Sequence, residues 1–397
     1  MSSSGWLSRL AVSGTIYTIP PSTVTVNTVT IATADILAVL CVDWPSADLV
    51  EEPRPVSGGQ WATIHRLRLT GTPEGVPEEL VLRVAPHAEM AAKEQAIQVA
   101  VAQAGVSTPR IHLTGPAGGP LEGAWSVMEF AHGRPLLADL DGVAALRRFA
   151  DILARVPSRL ADAMADVHRV DPVPVLRSAR AATPTVALTV DELWPHLRAA
   201  ADAAGRPDLA EAVDRLADSQ PPHDAPVICH GDFHPLNVLA DGDRLTILDW
   251  TGSLIAPAAY DVAFTMLLLR HPPLTTPPVL RPALALGGTA VAWRFVRAYR
   301  RANPSEDLTH LEWYKALHAA RILTSIALWT RAGELREHRH PWHLVAPGAA
   351  TALARVTSVD LTVTRGRADP VRARCAGAFR GGGSRTSGPP RQGPRRR

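Results

Sequence analysis

Three oxygen-bearing side chains stand close together in the second half of the chain and have the right chemistry to bind a divalent cation. Asp232 and Asn237 lie five positions apart, and Asp249 follows twelve positions later. Carboxylate and amide oxygens are hard ligands, which suit Mg²⁺ and the phosphate oxygens that it accompanies. If the fold brings the three side chains together, they form a pocket for a cation and a phosphate-bearing ligand.

The residues between Asn237 and Asp249 have the pattern of a β-hairpin. Asp241 and Gly242 form a turn dipeptide, and apolar residues lie on both sides of it. An antiparallel return would bring Asp249 back to the neighbourhood of Asn237. The short apolar stretch before this segment is expected to be a strand that ends in the polar loop carrying Asp232.

The residues between positions 61 and 130 have the pattern of a small sheet with one helix. Alternating apolar and polar residues predict a strand over residues 61–70, and apolar runs predict strands over residues 80–84 and 125–130. Residues 88–104 contain helix formers without a breaker and end before a glycine, which predicts a helix.

From position 158 onward the pattern is mostly helical. The predicted helices cover residues 158–170, 190–203, 258–270, 289–302 and 308–331. A chain of 397 residues exceeds the usual size of one compact unit. A β-rich part followed by a helix-rich part is typical of an α+β protein. We therefore expect an α+β fold with a small β-rich N-lobe and a large helical C-lobe.

The composition excludes several classes of protein. With 46% hydrophobic and 20% charged residues, the chain has enough apolar material for a sizeable core and is not wholly disordered. No apolar run reaches the roughly 18–20 residues of a membrane-spanning helix, so no membrane association is expected. Cys41, Cys229 and Cys375 are far apart, which excludes a disulfide framework and a thiolate zinc site and indicates a reducing cytoplasm.

The net charge of +3 hides an uneven distribution of charge. From Arg365 to the end there are ten arginines and one acid, whereas the rest has 31 basic and 37 acidic residues, a net charge of −6. The basic residues therefore form a terminal run and not a patch within a fold. This argues against nucleic acid as a specific partner.

The order of residues around Asp232 resembles a known family. His-x-Asp-x-x-x-x-Asn, followed by a hairpin and an Asp, is the order of the catalytic loop and the metal-binding Asp in protein kinases. The form His230-Gly231-Asp232, with Leu248-Asp249-Trp250 in place of Asp-Phe-Gly, resembles the aminoglycoside phosphotransferase family of small-molecule kinase-like enzymes.

Two shorter stretches extend the resemblance, which covers roughly residues 50–335. The stretch 167–172, Val-His-Arg-Val-Asp-Pro, is similar to a helix-end motif of the family, and Asp261 lies in a stretch similar to its Asp-Leu-Ala. The sequence departs from the family at Ala256-Pro257, where Gly-Asp is usual. The resemblance implies a two-lobed protein-kinase-like fold.

The resemblance implies roles for the polar residues of the loop and hairpin. Asp232 would accept or orient the proton of a substrate hydroxyl that attacks the γ-phosphate of ATP or GTP. Asn237 and Asp249 would hold Mg²⁺ against the phosphates, and His230 would support the loop. Positioning and charge neutralisation supply most of the catalysis of phosphoryl transfer, so these groups suffice.

The N-lobe would then bind the nucleotide. Gly58 and Gly59 lie in a Gly-rich turn before the first clear strand, where backbone N–H groups can approach phosphates. Arg83 occupies the place where kinases carry a phosphate-pairing lysine, and arginine grips phosphate bidentately. Glu94 is its expected ion-pair partner on the following helix, with Glu89 as the competitor.

The end of the strand over residues 125–130 would form the hinge between the lobes. Met128 and Phe130 belong to this hinge, where backbone groups would meet the adenine ring. A buried edge strand without a ligand is the alternative interpretation of the same residues.

Four segments follow from these patterns. Residues 1–45 are interpreted as an N-terminal extension, either a strand or unstructured, and residues 46–134 as the nucleotide-binding N-lobe. Residues 135–363 form the helical catalytic and substrate-binding C-lobe. Residues 364–397 form an Arg/Gly/Pro-rich tail without apolar periodicity, which is expected to be disordered.

The function implied is that of an O-phosphotransferase, dependent on ATP or GTP and Mg²⁺, that acts on a small-molecule hydroxyl. The acidic body favours a cationic acceptor such as an aminoglycoside or an amino alcohol, and Asp191 and Glu192 could contribute. An antibiotic-resistance role is a candidate. Macrolides, sugars and homoserine-like metabolites stay open, as do the choice of nucleotide and the oligomeric state.

Two other functions remain as alternatives. A catalytically weak, kinase-like nucleotide-binding protein would fit the arginine at position 83 and the altered loop at Ala256. A metal-dependent hydrolase would use the His-x-Asp-x-His stretch of His230, Asp232 and His234, but two-metal sites need further ligand clusters, which the sequence does not offer.

Overall fold

The computed structural model describes residues 31–56, 62–137, 142–222, 225–273, 281–332 and 342–361. Its strands are β1 (Asp48–Leu49), β2 (Arg54–Pro55), β3 (Thr63–Thr70), β4 (Glu79–Ala85), β5 (Ile111–Gly115), β6 (Ala124–Glu129), β7 (Arg134–Pro135), β8 (Val227–Cys229), β9 (Val238–Asp241), β10 (Arg244–Ile247) and β11 (Leu254–Ala256). Its helices are α1 (Thr33–Asp43), α2 (Ala88–Gln103), α3 (Gly142–His168), α4 (Pro172–Ala182), α5 (Leu193–Ala203), α6 (Pro207–Asp218), α7 (Ala259–Arg270), α8 (Arg281–Ala302), α9 (Leu311–Ala332) and α10 (Trp342–Thr357). Within these ranges, no helix has both the length and the apolar character to cross a membrane.

Three predicted features fall outside the described residues. They are the Gly-rich turn with Gly58 and Gly59, residues 1–30 of the extension, and the tail over residues 364–397, which also contains Cys375.

The N-terminal half of the described chain is an antiparallel sheet with two helices, α1 and α2, beside it. The strand order is β1-β3-β4-β6-β5, and β2 pairs with β3. Leucines at alternate positions of β3 and β4, which are Leu67, Leu69, Leu80 and Leu82, pack with Val127 of β6 in one core cluster. This period of two is the pattern from which the strands were predicted, and the predicted sheet with its helix is confirmed.

One segment predicted to be an extension belongs instead to the core of this sheet. Residues 33–43 form α1, and Ile36, Val39 and Leu40 are buried in the same cluster as the sheet leucines. Their spacing of three and four positions places them on one face of the helix, so burial against the sheet stabilises it. Residues 33–43 therefore belong to the core of this sheet and not to an extension, whereas the boundary at residue 45 stays a prediction.

The second half of the described chain is mostly helical. Of the ten helices in the described residues, six lie where they were predicted or overlap the prediction, five of them in this half, whereas α1, α4, α6 and α10 were not predicted. Helix α9 packs against α5, α6, α7 and α10, and all of its residues from Trp313 to Ile326 are buried. A β-rich part followed by a helix-rich part confirms the predicted α+β class. The internal boundary at residues 134 and 135 stays a prediction.

Two small sheets in the helical half position the polar loop. The hairpin is confirmed, because β9 and β10 pair antiparallel with Val238 opposite Ile247 and Asp241 opposite Arg244. Its turn residues are Gly242 and Asp243, one position later than the predicted Asp241-Gly242, because Asp241 is the last paired residue of β9. Strands β8 and β11 pair with Cys229 opposite Leu254, so the loop after β8 lies beside the segment before β11. Both ends of the segment from His230 to Ser253 are thus fixed by strand pairing.

Candidate active site

The loop that carries Asp232 is anchored by hydrogen bonds to the buried carboxylate of Asp261. Asp261 accepts hydrogen bonds from the backbone N–H groups of His230, at 2.6 Å, and of Gly231, at 2.7 Å. His168 Nε2 lies 3.2 Å from Asp261 Oδ2, and its Nδ1 lies 2.6 Å from the Tyr299 hydroxyl. Because these groups are buried and mutually bonded, they fix the conformation of the loop.

Gly231 is required by the geometry of the loop. Its φ of +74° is in the left-handed region, and a Cβ atom at this position would lie 1.9 Å from the carbonyl oxygen of Gly252. Only glycine permits both the backbone conformation and the close approach of the two segments. The loop and the segment after Asp249 therefore touch through their backbones.

The Asp232 side chain is buried and partly satisfied. Asn237 Nδ2 donates to its carbonyl oxygen at 3.0 Å and to its Oδ2 at 3.2 Å, while Oδ1 has no hydrogen-bond partner among the described residues. Burial raises the pKa of Asp232, the charge of His234 opposes this, and the charge of Asp249 adds to it. An unpartnered buried oxygen of this kind is suited to accept a proton from a bound ligand.

The two histidines of the loop have different partners. His230 Nδ1 accepts from the Asp232 backbone N–H at 3.3 Å, and its Nε2 donates to the Leu248 carbonyl at 2.9 Å. His234 Nδ1 accepts from the Leu236 N–H at 3.2 Å, so the ring proton lies on Nε2, and this nitrogen is 3.6 Å from Asp232 Oδ2. Both His230 nitrogens are thus engaged by backbone, and the predicted supporting role of His230 agrees with these bonds.

The Asn237 side chain has a defined orientation. Because Nδ2 donates twice to Asp232, the Asn237 Oδ1 points away from that residue, in an orientation that suits an oxygen ligand. The Asn237 carbonyl accepts from the Leu248 N–H at 2.8 Å. The hairpin therefore returns the chain to within one residue of Asp249, as the sequence predicts.

The Asp249 carboxylate lies among other acids. The backbone of Asp249 has a φ of +63°. The Asp249 Oδ1 accepts from the Thr251 hydroxyl at 2.6 Å and from the Thr251 N–H at 3.3 Å. Its charge raises the pKa of both Asp232 and Glu94. Carboxylates that repel one another beside an amide oxygen form a donor set that fits a hard divalent cation.

The expected ion pair in the N-lobe is present. Arg83 Nη1 lies 2.5 Å from Glu94 Oε2, and their side chains are 16% and 5% exposed. Burial, with the charge of Asp249, raises the pKa of Glu94 to about 7, while Arg83 acts to lower it. The competitor Glu89 accepts from the Thr185 hydroxyl at 2.7 Å instead. The structure therefore selects Glu94 as the partner of Arg83.

The predicted hinge follows a central strand. Met128 lies in β6 opposite Val81 of β4, so the alternative of an edge strand is wrong. The Phe130 N–H donates to the Glu79 carbonyl at 3.3 Å, and its ring lies 4.4 Å from the Arg66 guanidinium. The Phe130 amide is thus already satisfied, and an adenine contact by this segment stays a prediction.

Two acids considered for acceptor binding are engaged within the helical half. Asp191 Oδ1 accepts from Gln220 Nε2 at 2.5 Å. Glu192 accepts from Arg180 Nη2 at 2.5 Å and from the Leu188 N–H at 2.7 Å. Their hydrogen bonds stabilise the local fold, so the charge of these acids gives no support to an acceptor contact.

Several residues that support the site were not assigned a role from the sequence. Asp261 and His168 lie in stretches that resemble the family, but their support of the loop becomes visible only through long-range hydrogen bonds. Trp250 is buried, and its Nε1 donates to the Thr108 hydroxyl at 2.9 Å. Thr251 bonds to Asp249, and no sequence signal distinguishes it. Contacts across many positions leave no local pattern.

Among the described residues, one cluster of His, Cys and Asp side chains has the spacing of metal ligands, and it includes the two residues that support the loop. It consists of His168, Cys229 and Asp261, all buried. The two Asp261 oxygens already accept from the loop, and burial raises the pKa of the Cys229 thiol. The cluster therefore supports the loop, and the metal-dependent hydrolase gains no support from it.

A family model described as "Phosphotransferase enzyme family" (APH) matches residues 54–304. A search of curated proteins found no significant match.

Three solved structures illustrate the similarity of the fold. A putative aminoglycoside phosphotransferase from Ralstonia eutropha JMP134 is 16% identical with a TM-score of 0.59, over 83% of this chain and 99% of that one. A thermostable variant of the aminoglycoside phosphotransferase APH(4)-Ia, in ternary complex with ADP and hygromycin B, is 17% identical with a TM-score of 0.51, over 83% and 100%. The amicoumacin kinase hAmiN, in complex with AMP-PNP, Ca²⁺ and Ami, is 13% identical with a TM-score of 0.52, over 81% and 92%. At these identities the likeness shows the fold, and the predicted kinase-like two-lobed architecture is confirmed.

Proposed function

Because the chain belongs to the phosphotransferase enzyme family, we propose that it transfers the γ-phosphoryl group of ATP or GTP to a hydroxyl group of a small molecule. The observation that carries the proposal is the buried, unpartnered Oδ1 of Asp232 beside the Asn237 amide. The fold neighbours that hold ADP with hygromycin B, or AMP-PNP with Ami, support a nucleotide and a small acceptor.

Asp232 would act as the base of the transfer. The acceptor oxygen forms a bond to the γ-phosphorus, the bond from that phosphorus to the bridging oxygen breaks, and the nucleoside diphosphate leaves. The hydroxyl proton passes to Asp232 Oδ1. Asn237 and His234 hold Oδ2, so Oδ1 stays directed at the acceptor. The raised pKa of Asp232 makes the carboxylate a better proton acceptor.

Asn237 and Asp249 would hold the divalent cation, for which we propose Mg²⁺. When bound, such a cation neutralises charge on the phosphates as the transfer proceeds. The donor set supports this assignment, because Asn237 offers an amide oxygen and Asp249 a carboxylate next to two other acids. The Ca²⁺ in the amicoumacin kinase complex also supports a divalent cation.

The segment over residues 46–134 would bind the nucleotide, with the reacting groups in the segment over residues 135–363. Arg83 would face the phosphates, with its guanidinium oriented by Glu94. Gly58 and Gly59 would approach the phosphates through backbone N–H groups, and the segment around Met128 and Phe130 would meet the adenine ring.

The acceptor is proposed to be a small hydroxyl compound in the reducing cytoplasm. The acidic body favours a cationic acceptor, although Asp191 and Glu192 are already bonded. An aminoglycoside or an amino alcohol fits this charge. Macrolides, sugars and hydroxy amino acids belong in the same panel.

A substrate screen tests the proposal. The full chain is incubated with ATP or GTP and Mg²⁺ against aminoglycosides, amino alcohols, macrolides, sugars and hydroxy amino acids, and acceptor-dependent release of nucleoside diphosphate is measured. Mass spectrometry of each hit then identifies the phosphorylated product. Nucleotide consumption without phosphorylation of any acceptor, or no nucleotide binding at all, would contradict the proposal. Phosphorylation of neutral or anionic acceptors alone would contradict the charge argument.

A further inference from the structure

Thr251 connects the arginine of the N-terminal sheet to the carboxylate that follows the hairpin. Its hydroxyl donates to Asp249 Oδ1 at 2.6 Å, and Arg83 Nη2 donates to the same hydroxyl at 3.3 Å. A hydroxyl has one proton and two lone pairs, so it can donate to a carboxylate and accept from a guanidinium at once. Thr251 is 8% exposed, so water competes little for these bonds.

The contact determines the orientation of Asp249. This residue has a φ of +63°, which is unfavourable for a side chain with a Cβ atom and persists only where the surroundings hold it. Two donors of Thr251, its N–H and its hydroxyl, converge on Oδ1. These two bonds turn Oδ2 away from Thr251. They thereby fix the direction in which Oδ2 can face the proposed cation.

The same contact determines the orientation of Arg83. One guanidinium nitrogen, Nη1, bonds Glu94 Oε2 at 2.5 Å, and the other, Nη2, bonds the Thr251 hydroxyl. A planar guanidinium held at two of its nitrogens has a fixed plane. The acid on α2 and the hydroxyl beside Asp249 therefore define together where Arg83 points.

We infer that Thr251 is a positioning residue that couples nucleotide binding to cation binding, because its hydroxyl holds Arg83 and Asp249 in one fixed arrangement. This inference rests on the proposed function, in which Arg83 faces the phosphates and Asp249 faces the cation. Phosphates bound at Arg83 keep the hydroxyl in place, and the hydroxyl keeps Asp249 ready for the cation. Mg²⁺ therefore strengthens nucleotide binding in part through Thr251.

Binding of an ATP analogue that is not hydrolysed tests the coupling without turnover. Calorimetry gives its affinity with and without Mg²⁺, and the ratio of the two affinities measures the coupling. Thr251→Val is nearly isosteric and lacks the hydroxyl, whereas Thr251→Ser keeps it. We expect Thr251→Val to reduce the ratio roughly tenfold, the effect of one lost hydrogen bond to a charged group. Thr251→Ser should stay close to the wild type.

Thr324→Val is the matched control. Thr324 is also buried, but its hydroxyl donates to the Ala320 carbonyl of its own helix. Its substitution should leave the ratio unchanged. Melting temperatures without ligand verify that each variant folds. If Thr251→Val does not fold, Thr251→Ala removes the same hydroxyl with less steric demand and gives the same readout.

The outcomes separate this inference from the proposed function. If the wild type binds Mg²⁺-nucleotide and the ratio of affinities is unchanged in Thr251→Val, the inference is overturned. The proposed function then stands. A ratio that falls equally in Thr251→Ser also overturns the inference, because packing would then be the cause. A wild-type chain that binds no nucleotide overturns both. A ratio that depends on the hydroxyl supports the inference even if no acceptor is found.

Discussion

The side-chain amide of Asn237 donates two hydrogen bonds to Asp232, one to the carbonyl oxygen at 3.0 Å and one to the carboxylate at 3.2 Å. One side chain thereby orients the proposed base and directs its own oxygen towards the proposed cation. The position of the acceptor proton and the position of the cation are thus linked through one residue. Changes that move the loop should disturb both together.

The first prediction concerns the carboxylate under the loop. Asp261→Asn leaves one oxygen where two accept backbone N–H groups, and the new NH₂ group faces a donor. We expect the free energy of unfolding to fall by roughly 2–3 kcal/mol, since hydrogen bonds to charged groups are worth about 1.5–3 kcal/mol. Urea unfolding measures the change. Asp241→Asn, at the exposed end of β9, is the control, and equal effects in the two variants would contradict the role of Asp261.

The second prediction compares two glycines with similar φ values. Gly231→Ala would place Cβ 1.9 Å from the Gly252 carbonyl, whereas nothing lies within 4 Å of the Cβ position at Gly242. We expect Gly242→Ala to cost about 1–2 kcal/mol of stability from backbone strain alone. Gly231→Ala should cost more than about 3 kcal/mol or displace the loop. Thermal and urea unfolding compare them, and equal losses would show that the contact with Gly252 is unimportant.

The third prediction concerns the guanidinium of Arg83. A lysine at this position keeps the charge but cannot bond Glu94 and Thr251 with a planar fork. Arg83→Lys should raise the KM for nucleotide roughly tenfold, because one charge-assisted hydrogen bond is worth about 1.5–3 kcal/mol. The kcat should change less. Arg68→Lys, on an exposed position of β3, is the control. A KM unchanged in Arg83→Lys would exclude a bidentate role.

The fourth prediction concerns a buried lysine and pH. Burial, followed by the charge of Arg321, lowers the pKa of Lys93 to about 7, while Glu94 and Glu192 act in the opposite direction. Between pH 7 and about 10.5 the unfolded chain binds more protons at this residue than the folded chain, so this contribution to stability rises with pH.

Lys93→Met removes that dependence. In urea unfolding at pH 7 and pH 8.5, the free energy of unfolding of the wild type should rise by up to about 1.4 kcal/mol per pH unit relative to that of the variant. The pH range of the measurement stops below 9. Burial raises the pKa of Cys229, so above that pH its thiol ionises more readily in the unfolded chain, and the folded protein loses stability as the pH rises. Parallel pH profiles of wild type and variant would contradict the lowered pKa of Lys93.

The hairpin and the sheet could be predicted because their signals are local. The Asp241-Gly242 pair predicts the turn to within one position of the observed Gly242-Asp243 turn, and the alternating leucines of β3 and β4 match the pleat of a strand. These elements were found at nearly the predicted positions. The return of Asp249 to Asn237 follows from the hairpin alone.

Helices with proline were harder to predict. Helix α3 continues through Pro157, and α10 contains Pro347, although proline inside a helix removes a hydrogen bond and clashes with the preceding turn. Packing against the rest of the helical half compensates for this cost. The apolar spacing of α1 was present in the sequence, but no helix was predicted from it.

The remaining parts of the site depend on contacts that no local pattern specifies. The bonds of Asp261 to Gly231 and of Thr251 to Arg83 join residues 30 and 168 positions apart. The choice of Glu94 over Glu89 follows from the rotation of α2 relative to β4. Such details require the packed fold.

The most direct test of the account is the comparison of Asp232→Asn with the wild type in nucleotide binding and in phosphoryl transfer. The variant keeps the shape of the side chain but cannot take up the acceptor proton. We expect nucleotide affinity within a few-fold of the wild type and transfer to the acceptor slowed by roughly 10²–10⁴-fold, the usual contribution of a general base. Transfer at the wild-type rate would contradict the assignment of Asp232 and, with it, the proposed site.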